Sequence, residues 1–133
     1  MDSQPLLIPI RGAKFSLNIE TSAKLCDFTS QYQHIEIFDT PVFGKILTLD
    51  GHIQLTELDE HAYHESLVHI PLMSLDSPKR ALVVGGGDGG VIRELCNNTS
   101  LEKIDMVEID QAVVDLCKKH LPSISAGSFD DPR

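Results

Sequence analysis

A carboxylate stands inside a glycine-rich loop of this 133-residue chain. Residues 82–94 read LVVGGGDGGVIRE, so an apolar run enters the glycines and an amphipathic run leaves them. This order of strand, loop and helix is typical of nucleotide-binding sites. Asp88 lies among the glycines, and Glu108 ends the next predicted strand. An acid at that place accepts hydrogen bonds from ribose hydroxyls in such folds, which predicts an adenosine-bearing ligand.

The charge of Asp88 separates two classes of such ligands. A dinucleotide places its pyrophosphate against the helix N-terminus, where Asp88 would repel it. An S-adenosyl compound has no phosphate and carries a sulfonium cation, which a carboxylate attracts. Asp88 therefore favours an S-adenosyl ligand over NAD. A helix cap is the ordinary role of an aspartate at this position, and both roles can coexist.

A second group of polar residues lies in the segment DEHAYHE. His61, Glu65 and His69 share one face of the predicted helix, but their order does not match the HExxH arrangement of zinc enzymes. We therefore expect no metal site. Tyr63 and His64 lie beside acidic residues and can line a pocket for an amine. A half-buried tyrosine and a surface histidine are the commoner outcome for such residues.

The segment from residue 14 to about residue 57 has the two-residue period of β-strands. Asp50-Gly51 is a strong signal for a two-residue hairpin between two of these strands. Together they predict a small antiparallel β domain over residues 1–58. The predicted strands are residues 14–19, 34–38, 45–49 and 52–56.

From Asp59 onwards the period becomes helical. Asp59 can cap a helix with Pro71 near its C-terminal end, and two strands then alternate with two helices before a loop-like tail. This order predicts the first half of a Rossmann-like, doubly wound α/β domain of S-adenosylmethionine-methyltransferase type over residues 59–133. The predicted strands are residues 80–84 and 103–107, and the helices are about residues 90–97 and 111–120, with Pro122 after the last.

The small number of parallel strands bears on the completeness of the fold. Parallel sheets are normally covered on both faces and contain more than two strands. Two strands alone leave open edges and a thin core. We therefore expect the chain to be part of a longer protein.

The composition excludes several functional classes. The formal net charge is −9, with 20 acidic against 11 basic residues, which argues against nucleic acid and suits a cationic small substrate. Cys26, Cys96 and Cys117 are odd in number and form no CxxC pair, so we expect no disulfide and no zinc site, and a cytoplasmic location. The first ten residues have no basic region and only a short apolar run broken by prolines, which predicts neither a signal peptide nor a membrane span.

Four segments, in this order, resemble the polyamine aminopropyltransferases. They are GHIQLTELDEHAYHE from residue 51, GGGDGGVIRE from residue 85, VEID from residue 107 and GSFDDPR from residue 127. The resemblance is nearest to the N-terminal portion of spermidine synthases of the bacterial type and extends from about Tyr32 onwards. Its motifs are specific in combination, because general methyltransferases share the glycine loop but not the first segment.

The resemblance implies a reaction. An aminopropyl group moves from decarboxylated S-adenosylmethionine to putrescine, and spermidine and methylthioadenosine are formed. No metal or other cofactor is implied, since the donor is a co-substrate, and the implied assembly is a homodimer or homotetramer. Two alternatives stay open: an S-adenosylmethionine-dependent methyltransferase and an inactive binding or assembly module.

The family pattern also implies roles for single residues. Asp88 would bind the amino end of the aminopropyl donor, and Glu108 would bind its ribose. Tyr63 and His64, together with Asp88, would border the amine substrate. Leu58 departs from the basic residue often found there, and we expect only a small structural effect. The residues implied for donor binding are Gln33, Gln54, Gly85, Gly87, Asp88, Glu108 and Ile109.

The resemblance places the family's proton-accepting aspartate downstream of Arg133, so it implies no catalytic base among these residues. We therefore expect the 133-residue chain alone to be inactive. The measurement is formation of methylthioadenosine by the purified chain with putrescine and the decarboxylated donor, beside the full-length protein as positive control. Comparable turnover by the two proteins would contradict the expectation.

Overall fold

The computed structural model describes residues 5–10, 12 and 14–133. Their contacts divide the chain into two compact units, and the division lies between Asp59 and Glu60. The first unit contains antiparallel strands and the second a parallel pair with helices. The predicted order, an antiparallel β unit before an α/β unit, is confirmed.

The described residues of the N-terminal unit form six strands in two antiparallel sheets. The strands are β1 (Leu6–Pro9), β2 (Ser16–Ile19), β3 (Ala23–Thr29), β4 (His34–Thr40), β5 (Gly44–Leu49) and β6 (His52–Thr56). β1 pairs with β2, whereas the other four form a meander in the order β3-β4-β5-β6. Each strand of the meander therefore pairs with the next along the chain, which requires only short turns.

The turn between β5 and β6 is the predicted two-residue hairpin. Leu49 lies opposite His52, and the backbone φ angles are 50° at Asp50 and 73° at Gly51. Two positive φ angles are what a hairpin turn of this twist requires, and Asp-Gly tolerates them. The Asp50 carboxylate also accepts the His34 N–H at 2.8 Å, which ties the turn to β4.

Alternating apolar residues of the meander form the core of this unit. Ile35, Ile37 and Ile46 are completely buried, and Leu47 is 1% exposed. One cluster joins the two sheets, because residues of β1 pack against residues of β4 and β5. Its members are Leu6, Ile8, Phe38 and Ile46, with Ile19, Phe43 and Ile53 packed against them.

The C-terminal unit alternates helices with two parallel strands. Its elements are α1 (Glu60–Met73), β7 (Arg80–Val84), α2 (Gly90–Cys96), β8 (Lys103–Val107), α3 (Gln111–His120), α4 (Pro122–Ser125) and a 3-10 turn (Ser128–Asp130). Ala81 lies opposite Ile104 and Val84 opposite Val107 in the parallel pair. Pro71 lies in the last turn of α1, as predicted.

One face of the parallel pair is covered by helices. Its core contains Val68 of α1, Val83 of β7, Leu95 of α2 and Leu101. Side chains that point to the other face are exposed: Leu82 by 66%, Val84 by 81% and Val107 by 59%. Within the described residues, the strands that lead into the glycine loop are therefore packed on one side.

Three strands of the N-terminal unit differ from the prediction. The proline-broken run of residues 6–9 forms β1, since Pro9 occupies a strand end, where its missing N–H costs little. β3 is absent from the predicted strands because most of its residues are exposed and no apolar alternation marks it. β2 begins at Ser16 instead of residue 14, and Phe15 and Leu17 remain exposed.

The end of the chain is more helical than predicted. Pro122 begins the short helix α4, because proline is favoured at the first helical position, where no N–H bond is lost. The sequence predicts a loop for the tail, but Ser128–Asp130 forms a 3-10 turn after Gly127. The expectation of a loop over the whole tail is therefore wrong.

Two further findings concern the described residues as a set. No helix among them is both long and apolar enough to cross a lipid bilayer. Cys26, Cys96 and Cys117 form no disulfide in the part of the chain that the structure describes, and Cys117 is buried in α3.

The helix-covered core of the C-terminal unit leads to one prediction about the stability of the chain. Leu101→Ala removes a side chain that is 2% exposed, and we expect a loss of about 2–5 kcal/mol in the free energy of unfolding. The matched control is Leu75→Ala, at a leucine that is 58% exposed, with an expected change within about 0.5 kcal/mol. Urea unfolding measures both, and equal losses would contradict the assignment of this core.

Candidate functional site

The glycine loop leaves the end of β7 and turns sharply into α2. Gly85 still continues the strand pairing, because its N–H donates to the carbonyl of Val107 at 2.8 Å. Gly89 donates back to the carbonyl of Gly86 at 3.0 Å, and both have φ angles in the left-handed region. A Cβ on Gly89 would lie 2.6 Å from the Cβ of Ser125, so only glycine fits there.

Glu108 lies just past β8, against the glycine loop. Its Oε2 accepts the N–H of Gly87 at 3.1 Å, and its Oε1 accepts the N–H of Asp110 at 3.0 Å. Asp110 in turn caps α3 by accepting the N–H of Ala112 at 3.1 Å. Each carboxylate oxygen can accept a further bond, so Glu108 keeps acceptor capacity for a ligand hydroxyl.

Asp88 has two partners, and both bind the same oxygen. Its Oδ1 accepts the N–H of Gly90 at 2.7 Å and lies 3.2 Å from Nε2 of His64. Burial alone would raise the pKa of Asp88, but the hydrogen bonds from His64 and Gly90 outweigh it and lower the pKa. Asp88 is therefore an ionised carboxylate. The N-cap residue of α2 is Gly89, which has no side chain to cap the helix, and Asp88 supplies a capping bond by accepting the N–H of Gly90.

His64 is buried between two carboxylates. Its residue is 1% exposed, and its Nδ1 lies 2.5 Å from Oε2 of Glu60 while its Nε2 faces Asp88. Burial opposes the charged form of the ring, but the bonds to Asp88 and Glu60 raise its pKa above the usual 6.5. The rings of His64 and Tyr63 also make a T-shaped contact, with centroids 5.2 Å apart.

Arg93 holds Glu60 in place. It donates from Nη1 to Oε1 and from Nη2 to Oε2 of Glu60, each at 3.0 Å. The same guanidinium donates to the carbonyl of Ile124 at 2.7 Å and to Oε1 of Glu94 at 2.8 Å. Oε2 of Glu94 lies 2.8 Å from Nε2 of His69. We call Asp88, His64, Glu60, Arg93 and Glu94 the charge network.

The structure brings most of the predicted site residues together through these contacts. Those it joins around the loop are Gly85, Gly87, Asp88, Glu108, His64 and Tyr63. Ile109 follows Glu108 and is 70% exposed. Gln33 and Gln54 belong to the N-terminal unit: Gln33 precedes β4 and is half-buried, and Gln54 lies exposed on β6.

Comparison with known proteins assigns both units to one family. Residues 60–133 match the profile described as "Spermine/spermidine synthase domain", and residues 9–57 match "Spermidine synthase tetramerisation domain". The chain belongs to the spermine/spermidine synthase family. The family resemblance seen in the sequence is thereby confirmed.

Individual relatives support the same assignment. The chain is 45% identical over 132 residues to "Polyamine aminopropyltransferase 1" of Pseudomonas aeruginosa. The aligned region covers 99% of this chain and 45% of that protein. It is 53% identical over 122 residues to "Spermine synthase" of Arabidopsis thaliana, and this aligned region covers 92% of the chain and 33% of that protein. The chain thus spans half or less of the length of these relatives.

A solved member of the family confirms the fold. A spermidine synthase in complex with the transition-state analogue AdoDATO superposes with a TM-score of 0.92 at 36% identity, over 100% of this chain and 47% of that one. The predicted Rossmann-like fold after an antiparallel β unit is therefore confirmed. The matched part of this family fold contains the glycine loop and Glu108.

One group of side chains in the described residues has spacing suitable for a metal ion. Ligand atoms of Asp27, His34 and Glu36 lie within 4.8 Å of one another on β3 and β4. The ammonium of Lys24 lies 2.7 Å from Asp27 and 2.8 Å from Glu36, so a cation of the protein itself occupies the place between them. His69, a member of the helix face considered above with His61 and Glu65, lies 2.8 Å from Oε2 of Glu94.

Sequence reasoning missed Glu60 and Arg93 as parts of the site. The spacing of Glu60 and His64, one helical turn apart, was a usable signal for a side-chain pair. Arg93 gave no such signal, because its contact with Glu60 spans 33 residues and depends on how α1 and α2 pack.

The closeness of α2 to His64 predicts an unusual effect of a small substitution. A Cβ on Gly90 would overlap the His64 ring, which two carboxylates hold in place. Helix propensity alone would make Gly90→Ala stabilising by about 1 kcal/mol. We expect instead a loss of about 1–3 kcal/mol in unfolding free energy.

The control for this prediction is the same change beside His64→Ala. The cavity left by the ring accommodates the new Cβ, so Gly90→Ala should become neutral or stabilising in that background. Urea unfolding of the four proteins gives the coupling free energy. An equal effect in both backgrounds would show that the overlap with His64 has no energetic consequence.

Proposed function

We propose that the chain forms the donor-binding part of an aminopropyltransferase of the spermidine synthase type. The observation that carries the proposal is Asp88, an ionised and largely buried carboxylate inside the glycine loop. A cationic S-adenosyl compound would meet an attractive charge there, whereas a dinucleotide pyrophosphate would meet a repulsive one. The relative crystallised with AdoDATO supports this class of ligand.

The proposed reaction is a displacement at carbon. The free amine of the acceptor forms a bond to the aminopropyl carbon beside the sulfonium, and the carbon–sulfur bond breaks with its electron pair on sulfur. Methylthioadenosine leaves as a neutral thioether, and the new ammonium gives a proton to a base. In this scheme the described residues hold the donor, and the resemblance assigns the base to a downstream aspartate.

Charge also explains a preference for the decarboxylated donor. Asp88 is proposed to bind the donor's terminal ammonium. S-adenosylmethionine carries a carboxylate on the carbon next to that ammonium, and it would lie close to the negative Asp88. Like charges at short range in a partly buried site are unfavourable. Asp88 therefore favours aminopropyl transfer over methyl transfer.

Glu108 and Tyr63 are proposed to complete the two sides of the site. Glu108 holds the loop through Gly87 and has acceptor capacity for the ribose hydroxyls. Tyr63 is 63% exposed beside the buried His64 and can border the amine substrate. His64 is proposed to border the amine substrate together with Tyr63, and it also contacts Asp88. Gly85, Gly87 and Ile109 line the donor beside Glu108 in this proposal, and Gln33 and Gln54 are proposed donor contacts from the N-terminal unit.

Putrescine is the proposed acceptor, and no metal or other cofactor is required. The identity of the acceptor rests on the resemblance, because relatives named for spermidine and for spermine synthesis match this segment about equally. The N-terminal unit exposes the apolar rings of Phe28 and Tyr32, each by nearly half. We propose that such surfaces form a homotetramer or homodimer, in keeping with the family's tetramerisation domain. A cytoplasmic location stays a prediction from the cysteine pattern.

Asp88→Asn tests the proposal in the full-length protein. The amide oxygen still accepts the Gly90 N–H, so the loop keeps its shape while the negative charge is lost. We expect calorimetry to show weaker binding of decarboxylated S-adenosylmethionine by roughly 10- to 100-fold, the worth of one charge-assisted hydrogen bond. Binding of neutral methylthioadenosine should change by less than about threefold.

Methylthioadenosine is the internal control for this variant, because it occupies the adenosyl site without the aminopropyl cation. Equal losses of affinity for both ligands would mean that Asp88 shapes the loop and does not bind the donor's positive charge. Tighter binding of S-adenosylmethionine than of its decarboxylated form by the wild type would favour the methyltransferase alternative.

A further inference from the structure

Glu60 is separated from Asp88, the proposed ligand-binding residue, by the ring of His64. It contacts His64 and Arg93, and Asp88 lies on the opposite side of the His64 ring. Its side chain is 10% exposed. A contact with a ligand bound at Asp88 would have to pass through His64. Any influence of Glu60 on the ligand therefore acts through that ring.

The two nitrogens of His64 define its protonation. Nδ1 faces Glu60 and Nε2 faces Asp88, so each nitrogen has a carboxylate oxygen as its partner. A neutral ring would direct one lone pair at an anion, whereas an imidazolium donates to both. Tyr63 makes a T-shaped contact with the ring, Gly90 lies against it, and the guanidinium of Arg93 lies behind Glu60.

The position of Glu60 is itself fixed by Arg93. The guanidinium binds both oxygens of Glu60 and is anchored to the carbonyl of Ile124 on α4. A two-pronged pair of this kind has a defined geometry, so the Glu60 carboxylate presents one orientation to Nδ1 of His64. The orientation of the His64 ring on α1 therefore depends on Arg93 of α2 and, through its bond to Ile124, on α4.

We propose that Glu60 is a positioning residue for the donor site. It keeps His64 doubly protonated and oriented, and His64 then holds Oδ1 of Asp88 so that Oδ2 receives the ammonium of the donor. The inference rests on the proposed function, since the donor gives Asp88 its task. It adds to that function a buried relay, from Arg93 through Glu60 and His64 to Asp88.

Glu60→Gln tests the relay in the full-length protein. The amide oxygen can still accept from Nδ1, but the charge that holds the second proton on the ring is lost. Nitrogen-15 NMR should show that the His64 ring loses its second proton at a higher pH in the wild type than in the variant. Calorimetry at two pH values should show donor binding about tenfold weaker in the variant at the higher pH, where only the wild-type ring is protonated, and a smaller deficit at the lower pH, where both rings are protonated.

Glu102→Gln is the matched control. Glu102 lies in the same unit and also forms an ion pair, with Lys79 at 3.0 Å, but its side chain is 70% exposed. We expect this variant to match the wild type in donor affinity and in the His64 titration at both pH values. A loss in donor affinity equal to that of Glu60→Gln would overturn the proposal.

Three further outcomes would overturn the inference. One is an unchanged His64 titration in Glu60→Gln, and another is a donor deficit of equal size at both pH values, which indicates a general structural defect. The third needs no variant: a neutral His64 ring in the wild type at about pH 7 contradicts the relay, even if Glu60→Gln does not fold. Failure of the wild type to bind the donor would instead remove the proposed function.

Discussion

The glycine loop and α1 are joined by one interaction, in which the buried His64 ring lies between the carboxylates of Glu60 and Asp88. An isolated charge in the interior is costly, and removing one partner of a buried pair typically costs about 3–5 kcal/mol, because the other partner is left uncompensated. His64, Glu60 and Asp88 therefore depend on one another, and Arg93 extends this dependence to Glu60 and Glu94. The contact of His64 with Asp88 joins α1 to the loop, and the pair of Glu60 with Arg93 joins α1 to α2.

This constraint also accounts for the glycines on the helix side of the loop. Gly90 has no room for a Cβ because the His64 ring lies directly against it, and Gly89 is equally restricted by Ser125 and Phe129. Glycine-rich loops are usually explained by the close approach of a ligand to the backbone. Here two of the glycines are required by the protein's own packing. A Cβ on Gly85, in contrast, would meet no atom of the described residues within 4 Å, so its φ angle of 86°, and not packing within the chain, is what favours glycine there.

Sequence predicted the features that short segments encode. The Asp50-Gly51 hairpin and the strand, loop and helix around Asp88 are local, since turn chemistry and periodicity act over a few residues. β3 was not predicted because most of its residues are exposed, and it is a strand through its pairing with β4 and not through an apolar pattern of its own. The pairing of Glu60 with Arg93 and the burial of His64 escaped for the same reason, because both arise from the packing of two helices. A surface histidine was the commoner expectation, and tertiary contacts overrode it.

The charge network has a composition that bears on its ligand. It contains three carboxylates, those of Asp88, Glu60 and Glu94, and two cations, those of His64 and Arg93. His69 also contacts Glu94, so the ionisable groups continue beyond these five side chains. Asp88 is the carboxylate that lies in the glycine loop, and its side chain is 19% exposed, so a ligand ammonium would meet it there. Because interactions between charges strengthen as water is excluded, a cationic ligand at Asp88 would be attracted and an anionic one repelled.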